Sequence, residues 1–272
     1  MRLSIIIIEY HCMQHVTDCV GSINKFLSHI DTECLVISNS QYSQQELGLH
    51  QSNLEGSRII DSKNNLGYAG GVNIGISHAT GEYIYVLNPD CLLTDNNILQ
   101  VMDEMDQEDK WAITGPKVID QSGAVQPSCR RFPKPWTFLL VRSIFSALPG
   151  AAMERERYLM EDFDRRSRKE VDWVSGGALL VKSSAIKEFG GMDERYFLYM
   201  EDVDWCRSCW SHEYRVVYDP ASVVIHAGQH QSISNNIFSK FTTKHTYLHL
   251  TSLVKYFYKW KAFRQEKESC KN

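Results

Sequence analysis

The 272 residues carry 29 Lys and Arg against 33 Asp and Glu, a net charge of −4, which excludes a generally basic surface for nucleic acid. Hydrophobic residues make up 43% of the chain, enough for a sizeable core, yet no apolar run approaches the ~20 residues that a bilayer span requires. Eight cysteines follow a start, MRLSIIIIEYH, whose isoleucine run is too short for a secretory leader, so the chain reads as cytoplasmic with reduced thiols.

In chain order, LSIIII (3–8) is a continuous β-branched run, the mark of a strand buried on both faces. A helical pattern follows over about 17–27, with Cys19, Val20, Ile23 and Phe26 on one side. ECLVIS (33–38) and SRIID (57–61) read as strands, 70–79 as a small-residue helix, EYIYVLN (82–88) as a strand closed by Pro89, and 96–106 as a helix. Strands alternating with helices predict an α/β fold with a mostly parallel central sheet and right-handed crossovers. AITGPKVID (112–120) reads as strand then turn, and SCRRFPKPW (128–136) as a basic, proline-broken loop. WTFLLVRSIF (136–145) is apolar enough for a helix or an interfacial segment, and MERERYLMEDFDRRSRKE (153–170) is charged enough to be exposed or mobile. VDWVSGGALLVK (171–182) reads as a strand with a glycine pair, SSAIKEFGG (183–191) as a capped helix ending in glycine, and YRVVYDP (214–220) and SVVIHA (222–227) as two strands. From about 236 to 263 the pattern is helical, and no internal repeat is present.

Four stretches carry chemistry. NNLGYAGGVNIG (64–75) either brings backbone close to a ligand or makes a tight strand-to-helix connection; its Gly67-x-x-Gly70-Gly71 spacing is neither a P-loop nor GxGxxG. LNPDC (87–91) places Asn88-Pro89-Asp90 at the end of a strand, where open α/β sheets bind ligands. Asp90 there is a hard oxygen ligand suited to Mg²⁺ or Mn²⁺, or one residue of an ordinary Pro-Asp turn. FLYMEDVDW (197–205) sets Glu201, Asp202 and Asp204 beside an apolar run, and helix capping explains one acid well and three poorly. In a helix, Glu201 and Asp204 share a face. IHAGQH (225–230) offers His226 as a nitrogen ligand beside Asp90, or as a satisfied core histidine. Cys206-x-x-Cys209 with His212 lacks a fourth zinc ligand, and His245 and His249 lack the glutamate of a zinc-protease motif.

Taken in order, SIIIIEYH, NNLGYAGGVNIG, LNPD, VDWVSGGALLVK, FGGMDERYFLYMEDVDWCRS and YDPASVVIHAG resemble the inverting GT-A glycosyltransferases of family two. Within that family the likeness is to the bacterial rhamnosyltransferases of O-antigen (lipopolysaccharide) and cell-wall assembly, over about residues 3–260. The resemblance implies a GT-A domain at 1–235, with a nucleotide-sugar half at 1–110 and an acceptor half at 111–235. A basic, aromatic helical extension follows at 236–272. It implies that Asp90 and His226 hold a divalent cation, Mg²⁺ or Mn²⁺, and that Asp202 is the general base. Glu201 and Asp204 would position the acceptor or tune Asp202, Trp173 and Trp205 would wall the sugar pocket, and Arg130 and Arg131 would meet an acceptor diphosphate. The nucleotide sugar would lie against Glu9, Tyr10, Ser38, Asn65, Gly67, Gly71, Asn73, Asn88 and Asp90.

Two positions depart from the family pattern. Ser38, in LVISNSQ, stands where the family carries an Asp that meets the nucleotide base. The first strand ends in Glu9-Tyr10-His11 instead of Thr/Ser-Tyr-Asn, which leaves Glu9 to supply the carboxylate. The implied reaction is transfer of L-rhamnose from dTDP-rhamnose to a lipid-diphosphate-linked saccharide. UDP-galactofuranose, UDP-GlcNAc and UDP-glucose are the other donors to weigh. A sugar nucleotidyltransferase ranks lower, because it needs a glycine-rich loop with Lys or Arg directly after the first strand, where EYHCMQHVTDC stands. An inactive binding protein of the same fold would not need Asp90, Asp202 and His226 together. From Lys240 onward eight Lys and Arg face two acids among Tyr, Phe, Trp and Leu, which suits either the cytoplasmic face of an inner membrane or a helix packed on the domain.

Overall fold

The β-branched run at the start of the chain forms β1 (Leu3–Glu9), buried at every position. Such a strand needs cover on both faces, and successive side chains point to opposite sides. Leu3, Ile5 and Ile7 enter one core, and Ile6 and Ile8 enter the other. The computed structural model describes residues 1–142, 144–227 and 244–269. After β1 come α1 (Met13–Leu27), β2 (Thr32–Ser38), α2 (Gln44–Ser52), β3 (Ser57–Asp61), α3 (Gly67–His78), β4 (Tyr83–Leu87), β5 (Cys91–Leu93), α4 (Ile98–Asp106) and β6 (Trp111–Ile119). The rest of the described chain forms β7 (Cys129–Arg130), α5 (Thr137–Arg142), α6 (Ala151–Leu159), β8 (Lys169–Glu170), β9 (Trp173–Val174), β10 (Ala178–Lys182), α7 (Ser183–Phe189), α8 (Glu201–Ser211), β11 (Arg215–His226) and α9 (Lys244–Ser269).

The main sheet runs β3-β2-β1-β4-β10-β6-β11-β5, with β8 paired to β11. β3, β2, β1 and β4 pair parallel with one another, and β6 pairs parallel with β11. β10 runs antiparallel between β4 and β6, and β5 and β8 antiparallel to β11. The α/β fold with a mostly parallel sheet holds, with β5, β8 and β10 as antiparallel strands within it. Strand order turns at β1 and β4, whose carboxyl ends flank the crevice where such sheets take ligands. Because β10 runs the other way, the glycine pair ahead of it reaches that same edge.

Several local expectations change. α2 was not anticipated: it buries no side chain, and its one signal is the Ser43/Glu46 capping box. The charged stretch 153–170 is partly helical, with Tyr158, Met160 and Phe163 in the core. It is neither wholly exposed nor extended, because Glu154 turns inward onto Arg157 (2.6 Å) and Thr137. The two strands expected over 214–227 are one, β11, with a register shift between Asp219 and Val223. The single strand expected over 171–182 breaks at its glycine pair into β9 and β10. Of the helical pattern from 236, residues 236–243 lie outside the described residues, and α9 is described from Lys244.

Candidate active site

Asp90 follows β4 in a turn that Cys91 N–H closes onto Asn88 O (3.0 Å). β5 pairs with β11 so that His226 lies opposite Cys91, and this brings His226 Nε2 to 3.3 Å from Asp90 Oδ1. Both side chains are partly exposed. Gln126 Oε1 lies 3.3 Å from His226 Nδ1 and fixes the ring with Nε2 turned to Asp90, an outer-shell role common for metal-ligating histidines. Burial alone would raise Asp90, but the hydrogen bond and charge of His226 hold its carboxyl below the ordinary value. Cys91 completes the donor cluster, yet burial pushes its thiol well up and its Sγ is spent on Gly177 O (3.1 Å). A carboxylate oxygen and an imidazole nitrogen therefore fit a divalent cation, and the thiol stays protonated.

Asp202 lies in the first turn of α8. Its Oδ2 accepts from Gly176 N–H (3.0 Å) and its Oδ1 from Val203 N–H (2.8 Å). Burial raises its pKa, and the two backbone donors offset that only in part. Glu201 is buried beside it; burial first, then the charge of Asp202, push the Glu201 carboxyl well above the usual range. Glu201 Oε2 has no hydrogen-bond partner among the described residues. Burial thus raises both acids of the pair, and the two backbone N–H groups favour the charged form of Asp202.

The glycine pair links the two carboxylate centres. Asn88 N–H donates to Gly177 O (2.8 Å), Gly176 N–H donates to Asp202, and Tyr68 OH donates to Gly176 O (2.6 Å). The Tyr68 hydroxyl is pushed far up by burial and then by the charges of Glu201, Asp202, Cys91 and Asp90, and its ring lies with Asp202 against Gly176. Tyr68 enters α3 behind Gly67, which has φ +74°. A Cβ there would come within 2.2 Å of Phe197 O, so only glycine fits. Tyr68 N–H bonds the same carbonyl (2.9 Å). The close approach that Gly67 permits is to the protein's own backbone, in the segment ahead of α8.

The sequence profile of Glycosyl transferase family 2 matches residues 4–171, more than half of the chain. The chain belongs to glycosyl transferase family 2. It is 31% identical over 189 residues to the N-acetylglucosaminyl-diphospho-decaprenol L-rhamnosyltransferase of Mycobacterium tuberculosis, covering 64% of this chain and 60% of that one. It is 26% identical over 179 residues to rhamnosyltransferase WbbL of Escherichia coli, covering 65% and 62%. The matches thus span about three fifths of these relatives' own length. Among solved structures, GalNAc-T7 with UDP, GalNAc and Mn²⁺ superposes with a TM-score of 0.64 at 15% identity, over 86% of this chain and 44% of that one. That likeness carries the GT-A fold.

Against the family's motif positions, some expected residues meet at the edge and others do not. Asn88, Asp90, His226, Asp202 and Glu201 converge with Tyr68 and Gly176, two positions that the motif reading did not assign. Trp205 is not a pocket wall: it is buried in the core, its Nε1 bonded to Gly190 O (2.8 Å) and its ring against Phe189. Trp173 is likewise buried, donating to Arg131 O (2.9 Å), with the Arg130 guanidinium 5.1 Å from its ring centre. Asp204 does not tune Asp202 by contact; it turns away to Tyr196, Lys259 and Trp260. Arg131 is paired with Asp172 (3.3 Å), whereas Arg130 is near enough to lower the pKa of Asp202.

On the donor side, Ser38 and Glu9 do lie together at the ends of β2 and β1. Glu9, however, is fully buried, taking Ser38 Oγ (2.8 Å), Cys12 N–H (3.0 Å), Ser40 Oγ (3.1 Å) and Tyr42 OH (3.2 Å). Its carboxylate ties the two strand ends and has no open side for a nucleotide base. Asn73 is also spent inside the protein, clipping α3 to Met192 through N–H and carbonyl and to Glu194. Asn65 caps the loop by accepting from Gly67 N–H (2.9 Å), and Gly71 packs on Ile8 and Asn39. Tyr10 is half-exposed at the strand end. The cysteine pair on α8 makes no metal centre with His212. Cys206 and Cys209 are buried against Val174 O and Arg215 O, while His212 Nδ1 lies 2.9 Å from Ser208 O.

Proposed function

We propose that the chain is an inverting, metal-dependent hexosyltransferase that moves L-rhamnose from dTDP-rhamnose to a lipid-diphosphate-linked saccharide in the assembly of a bacterial surface polysaccharide. The observation that carries the reading is the juxtaposition of the Asp90–His226 pair with Asp202 around Tyr68 and the glycine pair. A divalent cation held by Asp90 and His226, Mg²⁺ or Mn²⁺, would neutralise charge on the leaving nucleoside diphosphate. Asp202 takes the proton of the acceptor hydroxyl while that oxygen attacks the anomeric carbon opposite the leaving group. Gly176 N–H holds the carboxylate in place, and the raised pKa makes it a stronger base. Arg130 lies on the acceptor side, within electrostatic reach of Asp202.

The donor reading draws on the names of the two rhamnosyltransferase relatives. Two observations bear on a UDP-sugar donor, of galactofuranose, GlcNAc or glucose: Ser38 stands in place of the family Asp that would meet the nucleotide base, and the fold neighbour holds UDP. The reaction type is tested by NMR of the product's anomeric centre after transfer from the donor that is consumed. Inversion relative to the donor is expected; retention would require a second displacement and sink the single-base mechanism.

The acceptor's lipid would place the enzyme at an anionic bilayer surface. Among the described residues no helix is long and apolar enough to cross a membrane. α9 exposes Tyr247, Leu250, Val254 and Tyr258 along one stripe, opposite its packed face of Leu253, Tyr256 and Trp260. Trp136 and Leu139, at α5, are exposed nearby, since Phe138 stacks on His249 at 4.7 Å. An apolar-aromatic face with Lys255 and Lys261 beside it fits interfacial docking. Co-sedimentation with vesicles rich in anionic lipid, weakened by Tyr247→Ser with Val254→Ser, is expected. Equal partition of wild type and variant would remove this surface.

A further inference from the structure

Asp204, the third acid of the opening cluster, is buried with Tyr196 OH (3.2 Å) and Trp260 Nε1 (2.8 Å) on Oδ1 and Lys259 Nζ (2.6 Å) on Oδ2. Lys259 also donates to Asp193 Oδ2 (2.9 Å). One ammonium thus joins both ends of the segment 193–204. Burial alone would raise Asp193, but hydrogen bonds from Arg195 and Lys259 hold it well below its ordinary value. Two more side chains of α9 hold the middle of that segment by its backbone: Lys255 Nζ donates to Arg195 O (2.6 Å) and Ser252 Oγ to Leu198 O (3.0 Å). His245 Nδ1 lies 3.3 Å from Tyr199 OH, and His249 packs on the Tyr199 ring.

The segment so held has little freedom to reach its shape alone. Tyr199 and Met200 both have positive φ, +70° and +72°, and Asp202 follows two residues later. Consecutive left-handed residues persist only where surrounding structure over-determines them. The same segment presents Phe197 O to Tyr68 N–H and walls Gly67. α9 therefore grips, from outside, the piece of chain whose inner side meets both the glycine loop and the base.

We propose that α9 is a clamp on the 193–200 segment and that Lys259 is a positioning residue for Asp202, acting through Asp204 and Asp193 and never touching substrate. The clamp rests on Asp202 being the base. It also means that whatever covers the outer stripe of α9 bears on the same helix that sets the base.

The test compares full-length wild type, Lys259→Met, Lys259→Arg and the milder pair Ser252→Ala with Lys255→Met. Kinetics are taken per folded molecule, with the folded fraction measured by thermal denaturation. A misplaced base lowers kcat by about 10- to 100-fold with donor KM little changed. That split is expected for Lys259→Met, a smaller fall in the same direction for the backbone pair, and recovery in Lys259→Arg. An unchanged kcat per folded molecule in both Lys259→Met and the pair overturns the clamp, even if the folded fraction drops, because the contacts are then structural only. Asp202→Asn separates the two readings. If it is inactive while the clamp variants keep wild-type kcat, the clamp alone fails. If it retains full transfer, the base assignment fails and the clamp with it.

Discussion

Asp202→Asn lowers kcat by about 10²- to 10⁴-fold, the range that a positioned general base supplies, and leaves donor affinity within about two-fold. Asparagine keeps the shape and one of the two acceptor oxygens that Gly176 and Val203 engage, so the loop is retained while the basic atom is lost. The wild-type pH profile carries the same signature. Burial raises Asp202 above the ordinary aspartate value, so the carboxylate protonates, and transfer falls off, at a higher pH than a solvated Asp would dictate. The sign is acid loss: rate rises with pH through the raised pKa and then levels. Single-turnover transfer against pH, alongside donor titration, checks both. Undiminished transfer in Asp202→Asn would move the base elsewhere.

Asp90→Ala abolishes the metal-dependent part of donor binding, a loss of about 100-fold or more, since outer-shell partners of metal ligands alone cost 10- to 100-fold. The remaining His226 keeps its contact with Gln126 but has no carboxylate beside it. One nitrogen ligand is a poor site for Mg²⁺ or Mn²⁺, which prefer oxygen. Calorimetric titration of the sugar nucleotide with and without Mn²⁺ reads this directly. Equal affinities in wild type and variant, with the metal present, would remove Asp90 and His226 from the metal role.

Much of the candidate site was legible because its residues stand at ends of strongly patterned elements. The buried run of β1, the strand before Asn88-Pro89-Asp90 and the strand before His226 each announce where a sheet edge begins. The meeting of Asp90 with His226 needed the pairing of β5 with β11 across more than a hundred residues, which motif order implied and local pattern did not. What failed was the direction of individual side chains. Glu9 and Trp205 have the chemistry of site residues, but their partners, Ser38, Ser40 and Tyr42 for one and Gly190 for the other, draw them into the interior. Asp204 is the clearest case: it sits two residues from Asp202 and is claimed by Lys259 and Trp260, more than fifty residues away. The capping argument for FLYMEDVDW could not see that partner. The three acids divide by what each one meets: Asp202 two backbone N–H groups, Glu201 a carboxylate neighbour, and Asp204 a half-buried lysine.

The most direct test of the cleft as a sugar-nucleotide site is a thermal-shift panel on the wild-type chain, with dTDP-rhamnose, UDP-galactofuranose, UDP-GlcNAc and UDP-glucose, each with Mg²⁺, Mn²⁺ or chelator. At 100 times its dissociation constant the true donor adds about 2.7 kcal/mol of stability, a shift of several degrees. Stabilisation by dTDP-rhamnose that requires the cation is expected. No cation-dependent shift with any sugar nucleotide would contradict the site itself.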